Sequence, residues 1–322
     1  MEDKDFESLK GQMAAVGYEH DLQEIKEFPH GASFYIADAK NFGEDLLLLN
    51  WGIDPVKTGG FQIQSVGAFL GKDISIPTEK INRIDPVELE YRLQRIEWNK
   101  PDTYQRMLME SSMEHQAVLD LTELYYAGPR GREVHDKLAY KYIANTLGED
   151  VVPNMNELKL EYDRKLRIEL RPDMLITGSE IYNLLNGRFI NKPVNEGGTR
   201  RDAWFKVDIK EKSESGFSSF QHIALSQGFD FNRAFQNVGI KDYQSILSDE
   251  AIMKRIKQGD LVSLTFQQNN LEGKRAFYAD PENGTMKIDR DETHKLGFYH
   301  ELPKEISLGE DMEYTQQRRR RG

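Results

Sequence analysis

Apolar and polar positions follow two different periods along this chain. Between about residues 77 and 170, apolar side chains recur every three or four positions, which predicts helices. On both sides of that segment lie short alternating runs, such as Phe61, Ile63 and Val66 separated by polar residues, which predict half-buried strands. We therefore predict an α+β fold with a small mixed N-terminal domain, a central helical segment, and a C-terminal antiparallel sheet with helices on one side.

The strongest local signal begins at Thr177. Thr177 and Glu180 have the spacing of a capping box, in which each side chain bonds the backbone N–H of the other residue. Ile181 and Leu184 then fall on one helical face, and Gly187 ends the pattern because glycine tolerates the left-handed conformation of a helix terminus. These residues predict a short amphipathic helix.

Two other patterns predict elements with defined partners or limits. Apolar residues from Asp102 through Tyr125 predict one long helix. Residues 201–209 and 217–224 predict a β-hairpin in which Phe205 faces Phe220, an aromatic cross-strand pair.

Changes of pattern and charge divide the chain into four predicted segments. These are a small α+β domain (1–76), an acidic helical segment (77–170), an antiparallel-sheet α+β domain (171–300) and a polar tail expected to be disordered (301–322). Residues 1–170 contain 20 Lys and Arg against 31 Asp and Glu, whereas residues 171–322 contain 23 of each. The acidic half disfavours binding to a phosphate backbone, which requires cations. We therefore expect the acidic helical segment to bind a protein partner.

Composition excludes several classes of function. The chain has no Cys, which excludes disulfides, thiolate zinc sites, iron–sulfur clusters and a cysteine nucleophile. No apolar run approaches the roughly 20 residues of a membrane span, so no membrane partner is expected. The acidic N-terminus lacks the apolar core of a signal peptide, and we expect a cytoplasmic location.

The histidines predict neither a metal site nor a catalytic residue. No two of them have the i, i+4 spacing around a carboxylate that a zinc peptidase needs, and His115 and His135 lie on separate predicted helices. His222 shares a predicted strand face with Phe220, which favours a buried, hydrogen-bonded histidine over a general base. Asp208 does not lie opposite His222 in the predicted hairpin. We predict no cofactor.

Basic residues cluster between residues 188 and 210. Trp204 and Lys206 share one predicted strand face, and an exposed aromatic residue beside cations could stack a nucleobase and hold its phosphates. The alternative, which we favour, is that Trp204 packs under the loop at 189–200. The Arg-rich C-terminus could bind DNA or acidic surfaces, or be a solvated tail. The candidate nucleic-acid-binding residues are Arg188, Arg200, Arg201, Trp204, Lys206, Arg318, Arg319, Arg320 and Arg321.

A series of separate sequence anchors runs through the C-terminal half. They are Tyr182-Asn183-Leu184-Leu185-Asn186-Gly187-Arg188, Ala203-Trp204, Asp208, Phe220-Gln221-His222, Gly228-Phe229-Asp230, Gln258-Gly259, Ser263-Leu264-Thr265-Phe266, Lys274, Phe277 and Ala279-Asp280-Pro281. In order and spacing they resemble an uncharacterised protein family encoded on bacterial conjugative and integrative elements, over about residues 176–290. The resemblance implies an accessory protein of a mobile element and brings no known catalytic residue.

Three functions follow as hypotheses. The first is a non-enzymatic accessory protein of a bacterial mobile element that acts through protein–protein contacts. The second is a nucleic-acid-binding accessory protein that uses the basic strand face and the Arg-rich tail. The third is a hydrolase or nuclease whose histidines and carboxylates come together only in the folded chain.

Overall fold

The computed structural model describes residues 2–29, 31–43, 45–57, 59–72, 74–171, 173–196, 198–213, 217–223, 228–268 and 271–289. These residues form an α+β fold of ten α-helices and ten β-strands. The helices are α1 (Asp3–Ala15), α2 (Pro86–Arg95), α3 (Thr103–Met107), α4 (Met113–Tyr126), α5 (Gly128–Ile143), α6 (Met155–Tyr162), α7 (Gly178–Leu185), α8 (Phe231–Asn237), α9 (Tyr243–Ser248) and α10 (Glu250–Lys257). The strands are β1 (Phe34–Phe42), β2 (Asp45–Pro55), β3 (Phe61–Gly71), β4 (Arg164–Glu169), β5 (Ile190–Glu196), β6 (Thr199–Lys212), β7 (Ser218–Ile223), β8 (Val262–Gln268), β9 (Leu271–Asp280) and β10 (Thr285–Ile288).

The chain divides into two compact units between residues 226 and 227. The first unit is built on a seven-stranded sheet with the order β1-β2-β3-β4-β7-β6-β5. Neighbouring strands are antiparallel except β4 and β7, which are parallel and meet at the pair Leu166 and Ser218. The second unit contains a three-stranded antiparallel meander with the order β10-β9-β8.

The sheet of the first unit crosses the predicted boundaries near residues 76 and 170. Strand β4 pairs with β3 on one side and with β7 on the other, so strands from the predicted first and third segments share one sheet. The helices α2–α6 are an insertion between β3 and β4, called the helical insert below (residues 77–162). The predicted tail, 301–322, lies outside the described residues.

Helices α1 and α7 cover one face of the seven-stranded sheet. Their apolar residues Leu9 and Leu184 are fully buried in one core with Trp51 of β2 and Phe205 of β6. Helix α7 contacts strands β2 to β6, so it lies across the middle of the sheet, where β4 joins the strands β1, β2 and β3 to the strands β5, β6 and β7.

The predicted capping box starts α7, and a glycine ends the helix. Glu180 N–H donates to Thr177 Oγ1 (3.3 Å), and Thr177 N–H donates to Glu180 Oε2 (2.8 Å). Gly187 has φ +73°, and the N–H of Arg188 reaches back to the carbonyl of Asn183 (3.0 Å), the pattern of a Schellman motif. Both ends of α7 therefore satisfy their backbone groups locally.

The helical insert has its own apolar core, which includes Leu89, Leu121 and Leu138. The prediction of one long helix from Asp102 through Tyr125 is wrong, because the chain breaks between α3 and α4. Ser112 Oγ accepts the N–H of His115 and starts α4 as its N-cap.

The predicted hairpin of β6 and β7 is present, with a register two residues from the predicted one. Phe205 lies opposite His222, and Val207 lies opposite Phe220. The Phe205 and Phe220 rings still stack diagonally, 5.2 Å apart. His222 is exposed, so the prediction of a buried histidine is wrong.

Candidate interaction surface

Arg188, a predicted nucleic-acid contact, is buried at the end of α7. It is 7% exposed, its Nη1 donates to Asn183 Oδ1 (2.8 Å), and its guanidinium lies 5.8 Å from the centroid of the Tyr182 ring. Arg164 Nη1 donates to the carbonyl of Leu185 beside it (2.8 Å). Cations at a helix C-terminus stabilise the negative end of its dipole. Arg188 therefore has a structural role in this fold.

Trp204 is buried on the sheet face opposite the core. It is 4% exposed and lies opposite Asn191 of β5. With the Asn191 amide oriented to satisfy both neighbours, its oxygen accepts from Trp204 Nε1 (3.3 Å) and its nitrogen donates to Asp202 Oδ2 (3.2 Å). A buried indole offers no face to a nucleobase. The alternative is therefore right that Trp204 is packed, but the predicted loop is wrong, because Ile190–Glu196 form strand β5.

The other predicted nucleic-acid contacts do not share one surface. Arg200 and Arg201 are exposed but are consecutive on β6 and point to opposite faces, and Lys206 is half-buried. Residues Arg318, Arg319, Arg320 and Arg321 lie outside the described residues.

Exposed apolar side chains concentrate on the helical insert. Of the twelve large hydrophobic residues that are exposed in the described part of the chain, eight belong to it. They are Val87, Tyr91, Tyr104, Leu108, Met109, Leu119, Tyr126 and Leu147, and they are called the insert surface below. Large exposed apolar groups that cluster on one region mark interaction sites in soluble proteins.

The corner between α3 and α4 carries the densest part of this surface. Tyr104, Leu108 and Met109 are 60%, 70% and 58% exposed within six residues of chain. Exposure of this degree leaves most of each side chain available for burial by a partner.

Hydrogen bonds hold that corner in one shape. Arg106 bridges Asp102 on α3's N-terminal side (2.5 Å) and the buried Glu114 of α4 (2.7 Å). The imidazole Nδ1 of His115 lies 2.8 Å from the carbonyl oxygen of Met107. A rigid frame lowers the entropy lost when a partner binds. The corner is therefore preorganised for contact.

The helical insert also contains an excess of acidic residues. Residues 77–162 contain 16 Asp and Glu against 11 Lys and Arg. Several carboxylates pair inside the insert, such as Asp120 with Arg92, whereas Glu88, Glu110 and Glu123 are exposed beside the insert surface in sequence. The same segment that the charge pattern singled out thus carries the exposed apolar residues, a feature that helical periodicity alone does not reveal.

One cluster of ionisable side chains from distant segments bears on the third hypothesis. Asp38 of β1 has a fully buried carboxylate, 3.4 Å from Nε2 of His20 and 3.6 Å from Nζ of Lys40. His20 and Tyr18 line a cavity of about 190 Å³ next to α1. Burial, and then the charges of Asp38 and Glu24, raise the pKa of Tyr18.

The cavity is lined by ionisable side chains, which include Lys10, Tyr18 and Glu19, and by no Ser or Thr of the described residues. His115 and His135 do not meet, and within the described ranges no three His, Asp or Glu side chains are placed to hold a metal ion.

Comparisons with known proteins leave the chain without a match: no family model, no curated protein and no solved structure corresponds to it. In the part of the chain that the structure describes, none of the helices has the length and apolar character needed to cross a membrane.

Proposed function

We propose that this protein is a non-enzymatic accessory protein that acts in the cytoplasm by binding a protein partner through the insert surface. The observation that carries the proposal is the concentration of exposed large apolar residues on the helical insert, eight of twelve in the described residues. The resemblance to proteins of mobile elements supports the accessory role as a prediction.

Burial of exposed apolar surface would drive this binding. Apolar area that stays exposed gives no stability to the free chain, whereas its burial against a partner gains about 25 cal/mol per Å². The insert surface includes three tyrosines, a residue type that is enriched among those that contribute most to binding energy. The acidic excess of the helical insert would add orientation and speed of encounter with a basic partner.

The nucleic-acid alternative has less support. It needs an exposed aromatic side chain among cations, and Trp204 is 4% exposed while Arg188 is 7% exposed. Arg200 and Arg201 remain exposed and could still contact phosphates.

The test is a quantitative affinity purification from the organism that encodes the protein, with mass spectrometry of the recovered proteins. The variant replaces three residues of the corner, Tyr104→Ser, Leu108→Asn and Met109→Gln. Because these side chains are exposed, the variant should fold, which circular dichroism checks. We expect this variant to recover at least about tenfold less of a specific partner than the wild-type chain does, because several contact residues have been replaced.

The matched control replaces exposed apolar residues outside the insert, Leu46→Asn and Leu48→Asn on β2. It should recover the same partner as the wild-type chain. If the two variants recover the same proteins in the same amounts as wild type, the insert surface has no partner and the proposal is wrong.

A further inference from the structure

We propose that two copies of this chain associate through strand β1. The two β1 strands would run antiparallel about a two-fold axis at Ala39, so that the two seven-stranded sheets become one. This surface is separate from the insert surface, and the inference goes beyond the proposed function.

Strand β1 is a sheet edge with an open backbone, and its charged residues, Asp38 and Lys40, lie on its core face. It is nine residues long, it ends the sheet, and within the described residues only β2 forms backbone hydrogen bonds with it. Long open edges are templates for another strand, and proteins usually block them with proline, with charge or with a covering segment.

The opposite edge of the same sheet is blocked in this way. Strand β5 carries Pro193, which has no N–H to donate. The N–H of Asn195 on β5 donates to Asp173 Oδ2 (3.3 Å) from the segment before α7. One edge is therefore closed by its own sequence, whereas β1 has neither proline nor such a partner.

The solvent face of β1 carries no charge. Tyr35, Ala37, Ala39 and Asn41 are exposed on it. Leu46 and Leu48 of the neighbouring β2, which lie opposite Asn41 and Ala39, are 40% and 43% exposed. An antiparallel sheet with one face in water normally carries polar residues there. A second copy would extend this uncharged face across the axis instead of ending it at an edge.

The core face of β1 selects a second copy and fixes the register. The fully buried carboxylate of Asp38 accepts no hydrogen bond within the described residues, although Nε2 of His20 (3.4 Å) and Nζ of Lys40 (3.6 Å) in the same chain lie near it. With Ala39 on the axis, Asp38 lies opposite Lys40 of the second copy, and the same pair repeats on the other side. Opposite charges in facing positions stabilise a strand pair.

Neighbouring registers fail on the same grounds. An axis at Asp38 or at Lys40 sets like charges directly opposite each other, which is destabilising. An axis at Ala37 sets Asp38 opposite Ile36, so no opposite charge faces the carboxylate. Of these four registers, only the pairing about Ala39 sets Asp38 and Lys40 opposite residues of opposite charge.

Site-specific crosslinking tests this register directly, because the native chain has no cysteine. In the variant Ala39→Cys, the two thiols would face each other with Cα atoms about 4.5–5.5 Å apart, within reach of a disulfide. In the variant Ala37→Cys, they would lie four residues apart along the strand, about 13 Å, which is too far. We expect a disulfide-linked dimer from Ala39→Cys and none from Ala37→Cys under the same mild oxidation. The reverse pattern, or equal crosslinking of both, would overturn the register.

Sedimentation velocity of the full chain tests the association itself. Wild type should sediment as a dimer, Ala39→Lys should raise the dissociation constant at least about tenfold because like charges meet at the axis, and Ala39→Ser should stay near wild type. Since residue 39 is exposed, the lysine variant should keep the wild-type circular dichroism spectrum. A wild-type chain that stays monomeric at about 100 μM would overturn the proposal. The triple variant of the insert surface should still dimerise, so this inference and the proposed function can fail separately.

Discussion

The first unit contains the same arrangement twice. In one half α1 precedes the meander of β1, β2 and β3, and in the other α7 precedes the meander of β5, β6 and β7. The two meanders form the two halves of one sheet, with β4 between them. The third strand of each meander lies next to β4, and the first strand of each lies at an edge of the sheet. The two halves share the way in which their helices end and differ in the way in which their helices are attached to the sheet.

Helix termination is the shared feature. Gly17 (φ +81°) and Gly187 (φ +73°) follow α1 and α7. The N–H of Tyr18 reaches the carbonyl of Met13 (2.9 Å), as the N–H of Arg188 reaches that of Asn183 in the second half. A left-handed residue ends each helix and turns the chain towards its sheet. The second unit repeats this device, with Gly259 (φ +82°) after α10.

Helix attachment is where the halves differ. Helix α7 starts with a capping box whose Glu180 is 2% exposed and lies 2.6 Å from Lys192 Nζ of β5. Helix α1 has Glu2 at its N-cap with no side-chain cap, and Gln12 anchors it instead by bonding both the carbonyl of Phe61 (3.0 Å) and the N–H of Ile63 (3.1 Å) on β3. The first half therefore fixes its helix through the strand, and the second half fixes its helix through the terminus.

Substitutions in the core that both halves share should destabilise the protein most. Leu184→Ala and Leu9→Ala should each lower the free energy of unfolding by about 4 kcal/mol, because both leucines are fully buried and truncation leaves a cavity. Denaturation followed by tryptophan fluorescence is suited to this, since Trp51, Trp98 and Trp204 all lie in the first unit. Two separate transitions after either substitution would show that the halves do not share one cooperative core.

The next effect sharpens the difference between the helix starts. Glu180→Ala should cost about 2–3 kcal/mol, because it removes the cap and leaves Lys192, whose side chain is 15% exposed, without its carboxylate. Glu2→Ala, which changes the N-cap of α1, should alter stability by less than about 0.5 kcal/mol, because the Glu2 side chain makes no capping hydrogen bond. Urea denaturation of both variants checks this, and equal losses would contradict the assigned roles.

A smaller effect tests the shared terminus. Gly17→Ala and Gly187→Ala should each cost about 1 kcal/mol, because alanine disfavours a positive φ. Gly11→Ala is the matched control inside α1, where an added Cβ meets no atom within 4 Å and the φ is not positive. That control should stabilise the chain by up to about 1 kcal/mol. A loss of stability in the control would show that replacing glycine destabilises the chain whatever the backbone conformation at the site.

The smallest effect concerns the two sheet edges. Asp173→Ala removes the acceptor of the Asn195 N–H on β5 and should cost about 0.5 kcal/mol, since the bond is exposed. Hydrogen exchange of the Asn195 amide should become faster. The outward amides of β1 should exchange faster in dilute than in concentrated wild-type protein, whereas β5 should show no dependence on concentration. Equal concentration dependence at both edges would remove the contrast between them.

Sequence patterns predicted elements better than they predicted partners. The capping box at Thr177 and the α+β class were readable because each depends on neighbours within a few residues. The register of β6 and β7 differed by two residues from the predicted one, and β6 has a register irregularity between Asp208 and Lys212 that alternation does not encode.

The interaction surface was predictable only in part. The acidic composition of the helical insert pointed to it, but the exposure of Leu108 and Met109 depends on how Arg106 and Ser112 fold the corner between two helices. Trp204 and Arg188 illustrate the opposite outcome. Both were candidate contacts in sequence, although packing was the favoured interpretation for Trp204, and both are buried in the folded chain.

Local sequence sets both ends of α7 and the C-terminal end of α1, since Thr177 and Glu180 satisfy backbone groups of their own turn and Gly17 and Gly187 adopt a conformation that most residues avoid. The pairing of β3 with β4 across the insert, the open edge at β1 and the burial of Trp204 on β6 depend on the folded chain. The difference lies in distance along the chain, because a cap is completed within four residues whereas β3 and β4 are about a hundred residues apart.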